Sequence, residues 1–224
     1  MEKKIIKQIE AEAKKYFQKA SGCHDWTHVE RVRDLVLKIG KKEKADLGIL
    51  EIAALLHDIH KPEEMSAMGK FCHAEKGAET ARKILKKYGI GDSAINKVAH
   101  CIAAHRTKNN YAPKTLEAKI LFDADRLDAI GAIGVARDFQ FAGFIAAQLT
   151  EPKLLYTGRE KQFVKSGRKY DYTLDDSAIL EYEKELKYIK DKLFTREGRR
   201  IGKERHNYMK KFFERFWKEV KAKK

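Results

Sequence analysis

An all-α fold, organised as a single helical domain over residues 1–224, is what this sequence predicts, and three observations carry the expectation. Apolar residues recur at helical spacing along most of the chain, strand-type alternation is confined to two short stretches, and only 3 prolines interrupt the pattern. Ile5, Ile6, Ile9, Ala13, Tyr16 and Phe17 make the first stripe, which Ser21-Gly22 closes. Thr27-His-Val-Glu30 reads as a capping box opening a second helix, which carries Val29, Val32, Val36 and Ile39 to Gly40. Asp46 caps a third helix that runs through Ile59 and stops at Lys61-Pro62. A fourth extends from His73 to Tyr88 before Gly89, and a fifth from Asp92-Ser93 to His105. After Pro113-Lys-Thr115 a sixth is expected to run past Gly134 to about Leu149. Residues 151–174 mix proline, glycine, charge and aromatics without a steady period, so an extended loop is expected there. Within 155–172, Gln162-Phe-Val-Lys165 and Lys169-Tyr-Asp-Tyr172 are candidates for a short hairpin. Two basic amphipathic helices, about 175–193 and 197–222, complete the chain.

Composition narrows the function. With 43% apolar and 36% charged residues the chain is neither disordered nor membrane-like, and at this length it can bury a core without staples. Cys23, Cys72 and Cys101 form no disulfide framework and no C-x-x-C pair, so a cytoplasmic protein with cysteines packed as small apolar groups is expected. The charged start builds no signal peptide, and no apolar run approaches the ~18 residues of a span, so no membrane partner is expected. There is no internal repeat of fixed period. Lysine and arginine number 48 against 33 aspartates and glutamates, a net +15, with 12 basic and 4 acidic residues in 195–224. Such an excess suits an anionic partner, a nucleotide or a nucleic acid, or else a lysine-rich solvated surface.

Seven of the eight histidines fall between positions 24 and 105. The sharpest local signal is His57-Asp58, at the end of the apolar run Ala53-Ala-Leu-Leu56. Burying both groups unpaired is costly; a cation would compensate the carboxylate and accept the imidazole lone pair, whereas a capped or salt-bridged pair is the bland alternative. His28 lies one turn after His24, and Asp125 lies in the acid-dense stretch Phe122-Asp-Ala-Asp-Arg-Leu-Asp128. Two imidazoles and two carboxylates from three helices would form a mixed N/O set suited to Mn²⁺, Fe²⁺, Co²⁺, Ni²⁺ or Zn²⁺. A divalent ion lowers the pKa of a bound water and polarises a phosphoryl oxygen, as hydrolysis of an anionic ester requires. Asp123 and Asp125 are about 200° apart on a helix, while Asp125 and Asp128 share a face. On geometry alone both Asp123 and Asp125 stay open as ligands.

The order His28, His57-Asp58, Asp125, with the neighbours His24-Asp-Trp-Thr-His28 and Asp123-Ala-Asp-Arg-Leu-Asp128, resembles the HD-domain metal-dependent phosphohydrolase superfamily over residues 20–135. The His-Asp-Trp-x-His start is similar to a small bacterial and archaeal branch that includes nucleotide pyrophosphohydrolases. The resemblance implies a phosphohydrolase acting on a phosphate ester or anhydride, most readily a nucleotide. It makes His28, His57, Asp58 and Asp125 ligands of one divalent ion, Mg²⁺ included, and places Asp128 behind Asp125. Lys61, three residues after Asp58, would contact a phosphate oxygen, and Arg126 would clamp one. His73 and His105 resemble the extra histidines that hold phosphate, shuttle a proton, or bind a second metal bridged by Asp58. His24 would line the mouth or support His28, and Asp25 would orient an imidazole. His60 occupies a place where relatives often carry a small residue, and the sequence supplies no reason for it. His100 and His206 read as structural. Two rivals accompany this reading: a di-iron oxygenase on the same scaffold, and a basic nucleic-acid module built from the tail and from Arg159, Lys161, Phe163, Lys165, Arg168, Lys169 and Tyr170.

Overall fold

In the computed structural model the described residues are 2–18, 20, 23–67, 70–106, 111–147, 155–167 and 177–223, and among them the regular structure is helical. Their contacts divide the chain into two units, 1–125 with 194–198, and 126–193 with 199–224. No single helix among the described residues is long and apolar enough to cross a membrane.

In the first unit α1 (Lys3–Lys14) buries Ile6, Ile9 and Ala13 and passes into a 3-10 turn at Lys15–Phe17. α2 (Trp26–Glu43) begins one residue before the expected capping box. Its N-cap is Asp25, whose carboxylate accepts from the His28 backbone N–H at 3.1 Å, and Val29, Val32, Leu35, Val36 and Ile39 face inward. α3 (Leu47–Leu56) is capped by Asp46, which accepts from the N–H groups of Gly48 and Ile49. Nearly all of α3 is buried, from Ile49 and Leu50 through Ile52 to Leu56, and it packs against α1, α2 and α6. Each such aliphatic side chain contributes about 1.5–3 kcal/mol on leaving water. Gly40 lets α2 and α3 approach, since a Cβ there would lie 2.5 Å from a Leu50 methyl.

The third helix was expected to reach Ile59; it ends at Leu56, and Pro62 does more than stop it. With its fixed φ and missing N–H, Pro62 opens a further short helix, α4 (Lys61–Ser66). α5 (His73–Lys87) and α6 (Asp92–Ala104) form an antiparallel pair joined at Gly89, whose φ of +71° is left-handed. The expected unbroken sixth helix is corrected to two, α7 (Leu116–Asp128) and α8 (Gly131–Ala146). Gly131 takes a φ of +83°, and a Cβ on Gly134 would sit 2.4 Å from the Ala129 carbonyl oxygen, so the chain turns where only glycine fits.

In the second unit the half of the expected hairpin at 162–165 is helical instead, within α9 (Glu160–Lys165), and its other half at 169–172 lies outside the described residues. Glu160 is buried and accepts from the Thr157 N–H and the Ser177 hydroxyl, which ties α9 to the start of α10 (Ala178–Lys184). The helix expected over 175–193 is α10 followed by a 3-10 segment, Leu186–Asp191. α11 (Arg196–Val220) supplies Phe212, Phe213 and Phe216 to a cluster with Phe139 and Tyr182.

Candidate metal centre

The histidines gather because the first unit ends or begins its helices at them. His57 follows the last residue of α3, His105 follows α6, His73 opens α5, and His28 sits in the first turn of α2. His28, His57, His73, His105 and Asp58 are all buried, with Asp58 3% exposed, whereas the His24 side chain keeps 22% of its surface in solvent.

Four expected ligands meet. His28 Nε2 lies 3.3 Å from His57 Nε2, 3.4 Å from Asp125 Oδ1 and 3.5 Å from Asp58 Oδ2. His57 Nε2 is 3.8 Å from the same Asp58 oxygen. The other carboxylate oxygen of Asp58 faces a second group: His73 Nε2 at 3.1 Å and His105 Nε2 at 3.4 Å, with the two imidazole nitrogens 3.2 Å apart. His24 Nδ1 approaches Asp58 Oδ2 at 3.3 Å, and its ring stands edge-on to His28. Donor atoms within 4.8 Å of one another thus form three triads: His24, His28 and Asp58; His28, His57 and Asp125; Asp58, His73 and His105.

Hydrogen bonds on the far side of three rings decide what these groups can hold. His57 Nδ1–H donates to the Ala54 carbonyl at 2.8 Å and His105 Nδ1–H to the Ile102 carbonyl at 2.6 Å. His73 Nδ1–H donates to the Glu64 carboxylate at 2.9 Å. A neutral imidazole with Nδ1 protonated has a bare lone pair on Nε2. The lone pairs of His73 and His105, facing each other at 3.2 Å beside a carboxylate, need a positive charge between them. The donor set, N and O with no cysteine among the clustered ligands, fits a divalent transition ion.

Ionisation follows the same logic. Burial pushes the His57 imidazole down to about 4, against the pull of Asp58, so it is neutral and ready to donate its lone pair. Burial alone would raise the Asp58 carboxyl, but the facing imidazoles of His57, His105, His24 and His28 hold it well below the usual range. At His73 burial is outweighed by Asp58 and Glu64, which hold the imidazole above its ordinary value; a proton there takes the place a cation would fill.

The remaining expected site residues divide. Lys61 Nζ donates to Glu64 at 2.8 Å. Asp25, expected to orient an imidazole, acts on backbone instead, through the His28 N–H. Asp123, open beside Asp125 on geometry, is fully buried and occupied: it accepts from the N–H groups of Phe194 and Thr195, both at 2.8 Å, and from the Thr195 hydroxyl at 2.7 Å. Asp128 and Arg126 belong to the second unit, where Asp128 pairs with Arg137 at 3.0 Å. His60 gains a role the sequence did not supply, bridging Glu63 and the Thr80 hydroxyl at 2.7 and 2.9 Å beneath Tyr16. His100 accepts from the Lys114 N–H, a structural use. Burial pushes the Cys101 thiol up to about 12, which leaves it inert. Sequence reasoning missed Glu64 and Arg106. Their signal was faint: Lys61 and Glu64 stand at i, i+3, but nothing local shows Glu64 reaching His73 on another helix.

Comparison with known proteins gives a family and relatives of the same fold. The HD domain family model matches residues 25–130. The uncharacterized protein YpgQ of Bacillus subtilis is 33% identical over 226 residues, covering 98% of this chain and 95% of that one. The crystal structure of YpgQ in complex with ADP superposes with a TM-score of 0.72 at 31% identity, covering 96% of this chain and 95% of that chain. A predicted HD superfamily hydrolase from an uncultured Thermotogales bacterium gives a TM-score of 0.62 at 30% identity, over 97% of this chain and 91% of its own.

Proposed function

Because the chain belongs to the HD domain family, we propose that it is a divalent-metal-dependent phosphohydrolase acting on a phosphate ester or anhydride, most readily that of a nucleotide. One observation carries the reading: buried imidazole lone pairs converge on the two oxygens of a single carboxylate, Asp58, with Asp125 beside them. His28, His57, Asp58 and Asp125 would hold the ion, and His73 and His105 with the second oxygen of Asp58 would hold another. When bound, a divalent ion supplies Lewis acidity toward a phosphoryl oxygen and lowers the pKa of water.

The chain's own residues do the rest. The Ala54 and Ile102 carbonyls fix the His57 and His105 rings, so the site costs little reorganisation on binding. The buried face of α3 keeps bulk water from the floor. His24, partly exposed and 3.3 Å from Asp58, would meet an incoming substrate. Lys61, at the start of α4, would exchange Glu64 for a phosphate oxygen. Arg126 and Asp128 take no part in this scheme. The ADP complex of YpgQ supports a nucleotide as the ligand class.

Elemental analysis of purified protein, followed by a panel of nucleotides and other phosphoesters with each metal restored, tests the reading. His57→Ala and Asp58→Ala should lose both bound metal and phosphate release; hydrolysis unchanged in either variant would overturn it. Oxygen consumption with an organic substrate, without phosphate release, would point instead to di-iron oxygenase chemistry.

A further inference from the structure

We propose that Glu64 is the positioning residue of the second ion site, the acceptor that turns His73 toward Asp58. The proposal rests on the two-ion reading of the metal centre and adds a residue to it.

The position of each histidine on its helix decides which acceptor its ring can reach. His57 and His105 follow the ends of α3 and α6, where the last carbonyls of a helix lack intrahelical partners, and each ring donates Nδ1–H to a carbonyl three residues earlier. His73 is the first residue of α5, where the orphan backbone groups are N–H donors rather than acceptors. No helix carbonyl is available to its Nδ1–H. An acceptor must therefore come from elsewhere in the fold, and Glu64 on α4 supplies it.

Glu64 is 3% exposed, and its donors come from its own helix and from two further segments. One oxygen accepts from His73 Nδ1–H at 2.9 Å and from Lys61 Nζ at 2.8 Å. The other accepts from the Arg106 guanidinium and the His73 backbone N–H, the latter at 3.4 Å. A carboxylate this buried is stable only when paired, and Lys61 and Arg106 pair it. With Nδ1–H anchored, Nε2 of His73 points at Asp58 Oδ1 and at His105 Nε2. An anionic partner on Nδ1 also makes Nε2 a stronger ligand. No hydrogen bond or ion pair found for Glu64 involves His28, His57 or Asp125, so its loss should be felt at one ion and not the other.

The test is Mn²⁺ binding to the whole protein by calorimetry, with Glu64→Gln beside the unsubstituted chain and the metal-free melting temperature measured for both. The expected result is two ions per chain without the substitution. In Glu64→Gln the first ion should keep its affinity, while the second weakens about 10–100-fold, the range for loss of a histidine's outer partner. A variant that melts earlier yet binds both ions within twofold of the original would show Glu64 to be merely structural and overturn the proposal. One ion in the unsubstituted protein would overturn the two-ion reading itself, a different failure. Should Glu64→Gln not fold, histidine ¹⁵N shifts of the unsubstituted Zn²⁺-loaded protein decide: His73 protonated on Nδ1 and bound through Nε2 supports the assignment, and the reverse tautomer overturns it.

Discussion

Asp58 in the first unit and Asp138 in the second are both buried carboxyls, 3% and 5% exposed, and the fold treats them oppositely. Around Asp58 five imidazoles converge, and its pKa falls although burial would raise it. Asp138, on α8, meets no positive or neutral donor among the described residues; its neighbour is the second acid Glu181. Burial there raises the carboxyl well above the ordinary range, and the neighbouring acid Glu181 raises it further. Burial is the same in both places; what differs is whether groups able to hydrogen-bond the charge or share a cation with it were brought in to meet it. A buried carboxylate ringed by imidazoles is a site built for a cation. A buried acid beside another acid simply keeps its proton.

That contrast can be broken by substitution. The largest effect is expected at the first carboxylate: Asp58→Asn, nearly isosteric, should remove bound metal from both triads that use it and lower phosphate release by at least ~100-fold, beyond the loss of an outer-sphere partner. Metal content and turnover of the same preparation check this, and a metal-replete Asp58→Asn would erase the distinction. Chelation comes next. Stripping the ion should lower the melting temperature, with about 2.7 kcal/mol regained when free metal reaches 100 times its Kd, and Asp138→Asn should show the same chelator response.

Asp123 and Asp125 sharpen the contrast within one helix. Asp125→Ala should lose metal affinity with little loss of stability, whereas Asp123→Ala should keep metal and cost about 2–3 kcal/mol, because it orphans the Phe194 N–H and the buried N–H and hydroxyl of Thr195. Denaturant melts with and without metal separate the two. The smallest effect is at Asp138. A carboxyl whose folded pKa is raised holds its proton after the unfolded chain has released it, so its contribution to stability is present at low pH and declines as pH rises above about 3.8 toward the folded value. Asparagine has no proton to lose. Asp138→Asn should therefore be more stable than the original by about 1 kcal/mol at pH 8, with the advantage fading as pH falls toward 4. A gain independent of pH would mean that the effect is packing.

The candidate ligands were legible because histidine is rare in apolar helices and costly to bury, so the ordered appearance of His28, His57-Asp58 and Asp125 carried information that one doublet would not. The choice between Asp123 and Asp125 was not legible from residue spacing. Both lie on the same short helix, and only the return of Phe194 and Thr195, some 70 residues later, shows which carboxylate is already engaged. The α7–α8 break was hidden for a related reason. Gly131 and Gly134 stand in a run rich in alanine and isoleucine that a helix tolerates, and the collision that forbids a Cβ at Gly134 is with the Ala129 carbonyl of the turn itself. Pro62 reads locally as a stop. Its second function, starting the helix that carries Glu64, depends on the packing of α4 against α5.

By itself the sequence determined the all-helical class, the stripes that bury α1 to α6, and which residue types had to find a cation or one another. Periodicity and the cost of hiding charge are local and compositional, so one chain suffices to read them. Only the tertiary structure decided that Asp58 would face two groups of imidazoles with its two oxygens, that Asp123 would cap rather than coordinate, and that His73 would depend on Glu64. Those outcomes turn on ångström-scale distances between segments far apart along the chain, which no spacing in the sequence encodes.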